Sequence, residues 1–203
     1  MLLIWWIFLA VRTALAFDDD ESSYDDESSS NYASELNNSY TQASGLNVED
    51  KLALLAQLAR KGHASSLASY TWQCLNLGRH ADAIGLYNET RMSLNSCANN
   101  NLGWELANCD SNHALHLLAT GSPVEEARVL WDRNLNMNHN ECTFYSKMMR
   151  VRDGTLWKND LTTLPKALRN DIRATLVAEL EKSAPGWYRD WLNSVLTEFG
   201  GVI

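Results

Sequence analysis

One short run, CLNLGRHADAIGLYNETR at residues 74–91, constrains the fold more than any other part of the chain. Apolar residues recur at helical spacing on both sides of Gly78, and a glycine in mid-helix is costly. Placed just past a helix end, Gly78 instead supplies the left-handed conformation that stops one helix and lets the chain reverse over Arg79 and His80. Ala83 then falls where two antiparallel helices come closest, and Tyr87, one turn on, fills the space where they diverge. Leu67, Tyr70, Thr71 and Cys74 line the facing side of the first helix. The expected unit is a helical hairpin with a small residue at its crossing.

The rest of the chain reads the same way. Asn47 caps a helix over 48–61 that Lys61-Gly62 closes, and further helices are expected over 64–76, 80–93, 104–119, 123–135, 141–152, 165–183 and 185–199. Cys109-Asp110-Ser111 is where the fourth of these, 104–119, would break if it is not continuous. Ser122-Pro123-Val124-Glu125 reads as a capping box with proline at the first helical position, and Pro165 and Pro185 stand at two other helix starts. An Asn-rich stretch, NSCANNNLGW, separates two helices, and a loop is expected over 154–163. No alternating β-branched run persists, so the class is all-α.

Leu67, Tyr70, Thr71, Cys74, Gly78, Ala83, Tyr87 and Thr90 fall in order on the signature places of the tetratricopeptide repeat, and the stretch resembles that family. Thr90 stands where the family has its last alanine. A second unit reads SNHALHLLATGSPVEEARVLWDR, with Ala114, Leu115 and Leu118 on its first helix, Ala127 at the crossing and Trp131 in the aromatic place; Gly121 sits one residue off register. The alanines are 44 residues apart, longer than the family's period and closer to that of the related Sel1-like repeats. The resemblance covers about residues 64–135. It implies a short α-solenoid of antiparallel hairpins, the alternative being an unrelated helical bundle. The helix near 48–61 would cap one end. The last helix, with Trp187, Trp191, Leu192, Val195, Leu196 and Phe199 on one face, would cap the other. It also implies a protein–protein interaction module that binds an extended peptide or partner helix on a concave face. Trp72, Asn76, Asn112 and His116 occupy the matching positions. In such a stack Cys109 would pair with Cys97 or Cys142, leaving Cys74 buried and free.

The N-terminus, MLLIWWIFLAVRTALAFDDD, reads as a secretory signal over residues 1–16, its apolar run too short to span a bilayer and Ala14-Leu15-Ala16 suiting cleavage before Phe17. A retained anchor is the alternative. Export makes disulfides permissible among the four cysteines. The net charge of −8 is concentrated: residues 17–50 hold ten acids and no Lys or Arg, whereas from Lys51 onward 16 bases face 15 acids. Residues 17–46 are expected to be a disordered acidic tail, poor in aliphatic residues, ahead of a helical domain over 47–203. That tail suits a basic partner, self-inhibition of the groove, or a passive spacer. Tyr24 sits among acids as a sulfation candidate, and Asn37 and Asn88 open glycosylation sequons.

No phosphate loop, nucleophile elbow, CxxC or HExxH motif is present, so nothing in the sequence asks for a cofactor. Cys109, His113 and His116, at i, i+4 and i+7, are metal-ligand types without an evident fourth member. Glu105, Asp110 and Glu141 are the carboxylates for an alternative function, a small secreted helical hydrolase acting on glycan or cell-wall material. Scattered bases and an acidic tail disfavour nucleic acid.

Overall fold

The computed structural model describes residues 26–97, 101–134 and 166–200. Among these the protein is all-α, with eight helices packed side by side and no strand. They are α1 (Asp26–Gln42), α2 (Val48–Arg60), α3 (Ala64–Leu77), α4 (His80–Thr90), α5 (Leu102–Ala119), α6 (Val124–Arg133), α7 (Lys166–Lys182) and α8 (Trp187–Gly200). The segment expected to be a secretory signal, Tyr24, Glu141, Cys142, the helix expected over 141–152, the loop expected over 154–163 and Pro165 lie outside the described residues. The chain divides into two compact units, Met1–Glu35 and Leu36–Ile203. In the first, residues 26–35 are the opening turns of α1; every contact discussed below belongs to the second.

The glycine turns close as their chemistry requires. At Gly78, φ is +69°; Arg79 N–H reaches Cys74 O at 2.9 Å and Gly78 N–H reaches Leu75 O at 3.3 Å, the paired bonds that satisfy the last carbonyls of α3. Residues 61–63 and 120–122 repeat this pattern around Gly62 and Gly121. Gly62 has a further duty. The connector after α4 runs back beneath this turn, with Asn95 N–H on Gly62 O at 3.0 Å and Ala64 N–H on Ser96 O at 2.7 Å. A Cβ on Gly62 would stand 2.5 Å from Asn95 Oδ1.

Other helix ends differ from expectation. Asn47 caps α2 by accepting from Asp50 N–H at 3.0 Å. The capping box at residues 122–125 does not form: Pro123 is itself the cap, with ψ 137°, and no side chain serves the turn. Ser122 is otherwise engaged, its N–H closing the turn before it on Leu117 O at 2.9 Å. Pro185 lies in the turn ahead of α8, where Gly186 O accepts Asp190 N–H at 3.1 Å. Helix α5 continues through 109–111 without a break because Asp110 turns its carboxylate to other helices, away from its own backbone.

The largest correction is α1. Helix occupies most of a segment expected to be disordered. Only two apolar side chains near its end are buried, Leu36 and, in the following 3-10 turn, Ala43. Polar bonds supply the rest: Tyr40 Oη meets Ser69 Oγ at 2.8 Å, and Asn37 Oδ1 accepts from His63 Nε2 at 2.8 Å.

Two hairpins, α3–α4 and α5–α6, form the centre. Ala83 and Ala127 are fully buried at their crossings, with Tyr87 and Trp131 buried beyond them. Leu115, Leu130 and Trp131 share a core with Leu176 of α7 and with Tyr188, Trp191, Leu192 and Val195 of α8, so α8 covers α3 and α5 with the face its sequence marks as apolar. Leu67, Leu86, Tyr87 and Cys109 belong to a second core between α3, α4 and α5.

Gly78→Ala should destabilise the protein by about 1–2 kcal/mol, the cost of a left-handed alanine in open space. Gly62→Ala should cost roughly 2–4 kcal/mol, because overpacking against the connector adds to the same penalty. Urea denaturation of both variants checks the order; equal losses would contradict the close approach at Gly62.

Candidate functional site

The site is built on the contact between the first helices of the two hairpins. Cys109 Sγ–H donates to Ala64 O at 3.4 Å, Asn112 Nδ2–H to Ala68 O at 3.0 Å, and His116 Nε2–H to Thr71 O at 2.9 Å. Residue numbers rise together on both helices, with separations of 45, 44 and 45. Helices α3 and α5 therefore run parallel and in register, and the offset matches the 44 residues from Ala83 to Ala127. Asn112 also donates to Thr71 Oγ1 at 3.1 Å, and Thr71 Oγ1–H in turn bonds back to Leu67 O at 2.9 Å.

A buried carboxylate ties the second helices to this seam. Asp110 Oδ1 accepts from Tyr87 Oη at 2.7 Å and from Arg91 Nε at 2.6 Å; Oδ2 accepts from Asn134 Nδ2 at 3.0 Å and Arg91 Nη2 at 3.2 Å. Burial alone would raise the Asp110 carboxyl, but these donors outweigh it and hold it below the usual carboxylate range. One side chain thus joins α4, α5 and the end of α6.

Four histidines pack nearby. His116 Nε2 must donate to the Thr71 carbonyl, so its Nδ1 accepts from His80 Nδ1–H at 3.0 Å. By the same logic His63 donates from Nε2 to Asn37 and accepts at Nδ1 from Ser66 Oγ–H at 2.7 Å. His113 stacks flat on Tyr87, centroids 3.7 Å apart. Desolvation pushes His63, His113 and His116 down to about 4 and also lowers His80. His63, His113 and His116 are therefore neutral at pH 7.

A cleft of about 310 Å³ opens beside the seam, lined by Ala68, Ser69 and Trp72 of α3, Glu105, Asn108 and Asn112 of α5 and Glu179 of α7. Of the four groove positions expected from sequence, Trp72 and Asn112 reach it. Trp72 is half-buried, its ring edge-on to Tyr188 with centroids 5.5 Å apart. Asn112 is nearly buried and holds the seam. Asn76 is absent from the cleft wall and bonds its own helix at Trp72 O. His116 is fully buried between α3 and α5 and presents nothing to solvent. Sequence reasoning missed Asn108 and Glu179. Glu105, Asn108 and Asn112 lie at i, i+3 and i+7, a signal that could have drawn Asn108 in; Glu179 comes from too far along the chain to carry one.

The expected disulfide involving Cys109 does not form. Cys74, Cys97 and Cys109 are buried free thiols, as was expected of Cys74 alone. Cys109 is spent on the Ala64 carbonyl, and burial pushes its thiol far up. Cys109, His113 and His116 serve three different neighbours, and among the described residues no three His, Cys, Asp or Glu side chains are placed to hold a metal. Asn37 is half-buried with its amide oxygen bonded to His63, whereas Asn88 is exposed on α4. Among the described residues no helix is long and apolar enough to cross a membrane. Comparison with family models, curated proteins and solved structures finds no match to the chain.

Acid should unfold this protein early. An unfolded histidine titrates near pH 6.5 and these three titrate near 4 when folded, so the unfolded state binds more protons across that window. The stability they contribute is complete above pH 6.5 and is lost as pH falls toward 4, at about 1.4 kcal/mol per pH unit for each histidine. Asp110, depressed when folded, acts in the same direction at lower pH. Melting temperatures from pH 7 to 5 should fall steeply, and His63→Gln should flatten that fall; a level profile would contradict the buried neutral histidines.

Proposed function

We propose that this chain is an exported protein–protein interaction module that binds a peptide or partner helix across the face formed by α3 and α5. The observation that carries this is the parallel, in-register pairing of those two helices at the same offset as the hairpin crossings. That pairing is what a short α-solenoid of tetratricopeptide-like or Sel1-like units would have. In such a stack the first helices form the receptive surface, and the cleft lies on α3 and α5 with Trp72 and Asn112 in its wall. Export rests on the N-terminal segment, and a basic partner would suit the acids of residues 17–50.

The hydrolase alternative is weakened. Its candidate Asp110 is locked by Arg91, Tyr87 and Asn134 with no exposed side-chain surface, although Glu105 does line the cleft.

A photo-crosslinking residue placed at Asn108, on the cleft wall, should yield a saturable crosslink to the partner in the native extracytoplasmic fraction. The same residue at Val129, exposed on α6 outside this cleft, should yield none. Equal crosslinking from both positions would place the partner elsewhere.

A further inference from the structure

We infer that the cleft beside the α3–α5 seam accepts one cationic side chain, a lysine ammonium or an arginine guanidinium, from the peptide that the binding reading above requires. Glu105 is the first reason. It is 9% exposed and lines the cleft, and while its backbone N–H bonds Asn101 O at 3.1 Å, its carboxylate has no hydrogen bond or ion pair among the described residues. A carboxylate that lines a cleft with no cation bonded to it among the described residues offers charge-assisted hydrogen bonds to a cation entering there.

The remaining wall has the same sense. Asn112 spends both amide hydrogens on α3, so the acceptor oxygen is what it leaves for the cleft. Glu179 brings a second carboxylate from α7, engaged only with exposed Lys182 at 4.0 Å on its own helix. Trp72 supplies an indole, whose ring face attracts cations. Among the described residues no Lys, Arg or His lines the space. A wall rich in acceptors and poor in positive charge selects a ligand rich in donors. A volume of about 310 Å³ suits a single long side chain and excludes a whole helix. Two carboxylates fall short of a metal shell.

The test is an NMR titration of the full, isotope-labelled chain, following the Trp72 indole and the Asn112 side-chain amide. The probes are blocked alanine pentapeptides with lysine, arginine or norleucine at the centre, and calcium chloride separately. Saturable shifts are expected with lysine and arginine, about tenfold weaker binding with norleucine, and about tenfold loss in Glu105→Gln. Glu179→Gln should lose less, and it gives a second readout if Glu105→Gln does not fold by circular dichroism. Equal affinity for norleucine would overturn the cationic pocket while leaving the binding module intact. Tighter binding of calcium would make it a metal site and overturn the inference. No saturable shift with any peptide would overturn it together with the reading on which it rests.

Discussion

Three backbone carbonyls of α3, at Ala64, Ala68 and Thr71, each receive a side-chain donor from α5. Carbonyls in mid-helix already accept from their own helix, so these bonds use second lone pairs, and they demand that α5 lie close and in one register. A slip of one residue would carry Asn112 and His116 off their acceptors and leave polar atoms stranded in a dry interface, which is costly. Apolar packing tolerates such slips; this seam does not. The position of the second hairpin, the cleft on α3 and α5, and the contact of both helices with α8 all follow from it.

Asp110 extends the same logic outward. Because its carboxylate is satisfied by α4 on one side and by the end of α6 on the other, the second helices cannot rotate independently of the first. The interior is thus specified by polar pairs as much as by leucines, and neutral histidines are part of it. Such an interior is selective about register and vulnerable to acid. His113 Nδ1 and Ser111 Oγ are buried without a partner among the described residues, so even this interior is not fully paired.

Much of the architecture was legible because it depends on residue types with few alternatives. Gly78 ends α3 in the left-handed region, Ala83 and Ala127 sit at the crossings, and the apolar face of α8 is core. What was not legible depends on pairs distant in sequence. Helix α1 is held by Asn37 and Tyr40 reaching His63 and Ser69, bonds that composition cannot reveal. Asn112 and His116 share the periodicity of a groove face, yet in the structure they face a neighbouring helix, since polar side chains at helical spacing look the same whether they meet solvent or buried carbonyls. Tyr188, buried against Trp72, was passed over because its neighbours Trp187 and Trp191 define the stripe. The disulfide expectation followed from compartment, parity and the stacking implied by the repeat resemblance, whereas Cys109 is already committed to a carbonyl.

The seam is directly measurable. Nuclear Overhauser contacts in the isotope-labelled protein should connect Ala64 with Cys109, Ala68 with Asn112 and Thr71 with His116, numbers rising together on both helices. Cross-peaks that run in opposite order, or none between these helices, would contradict the parallel register and remove the basis for the cleft and for the proposed repeat.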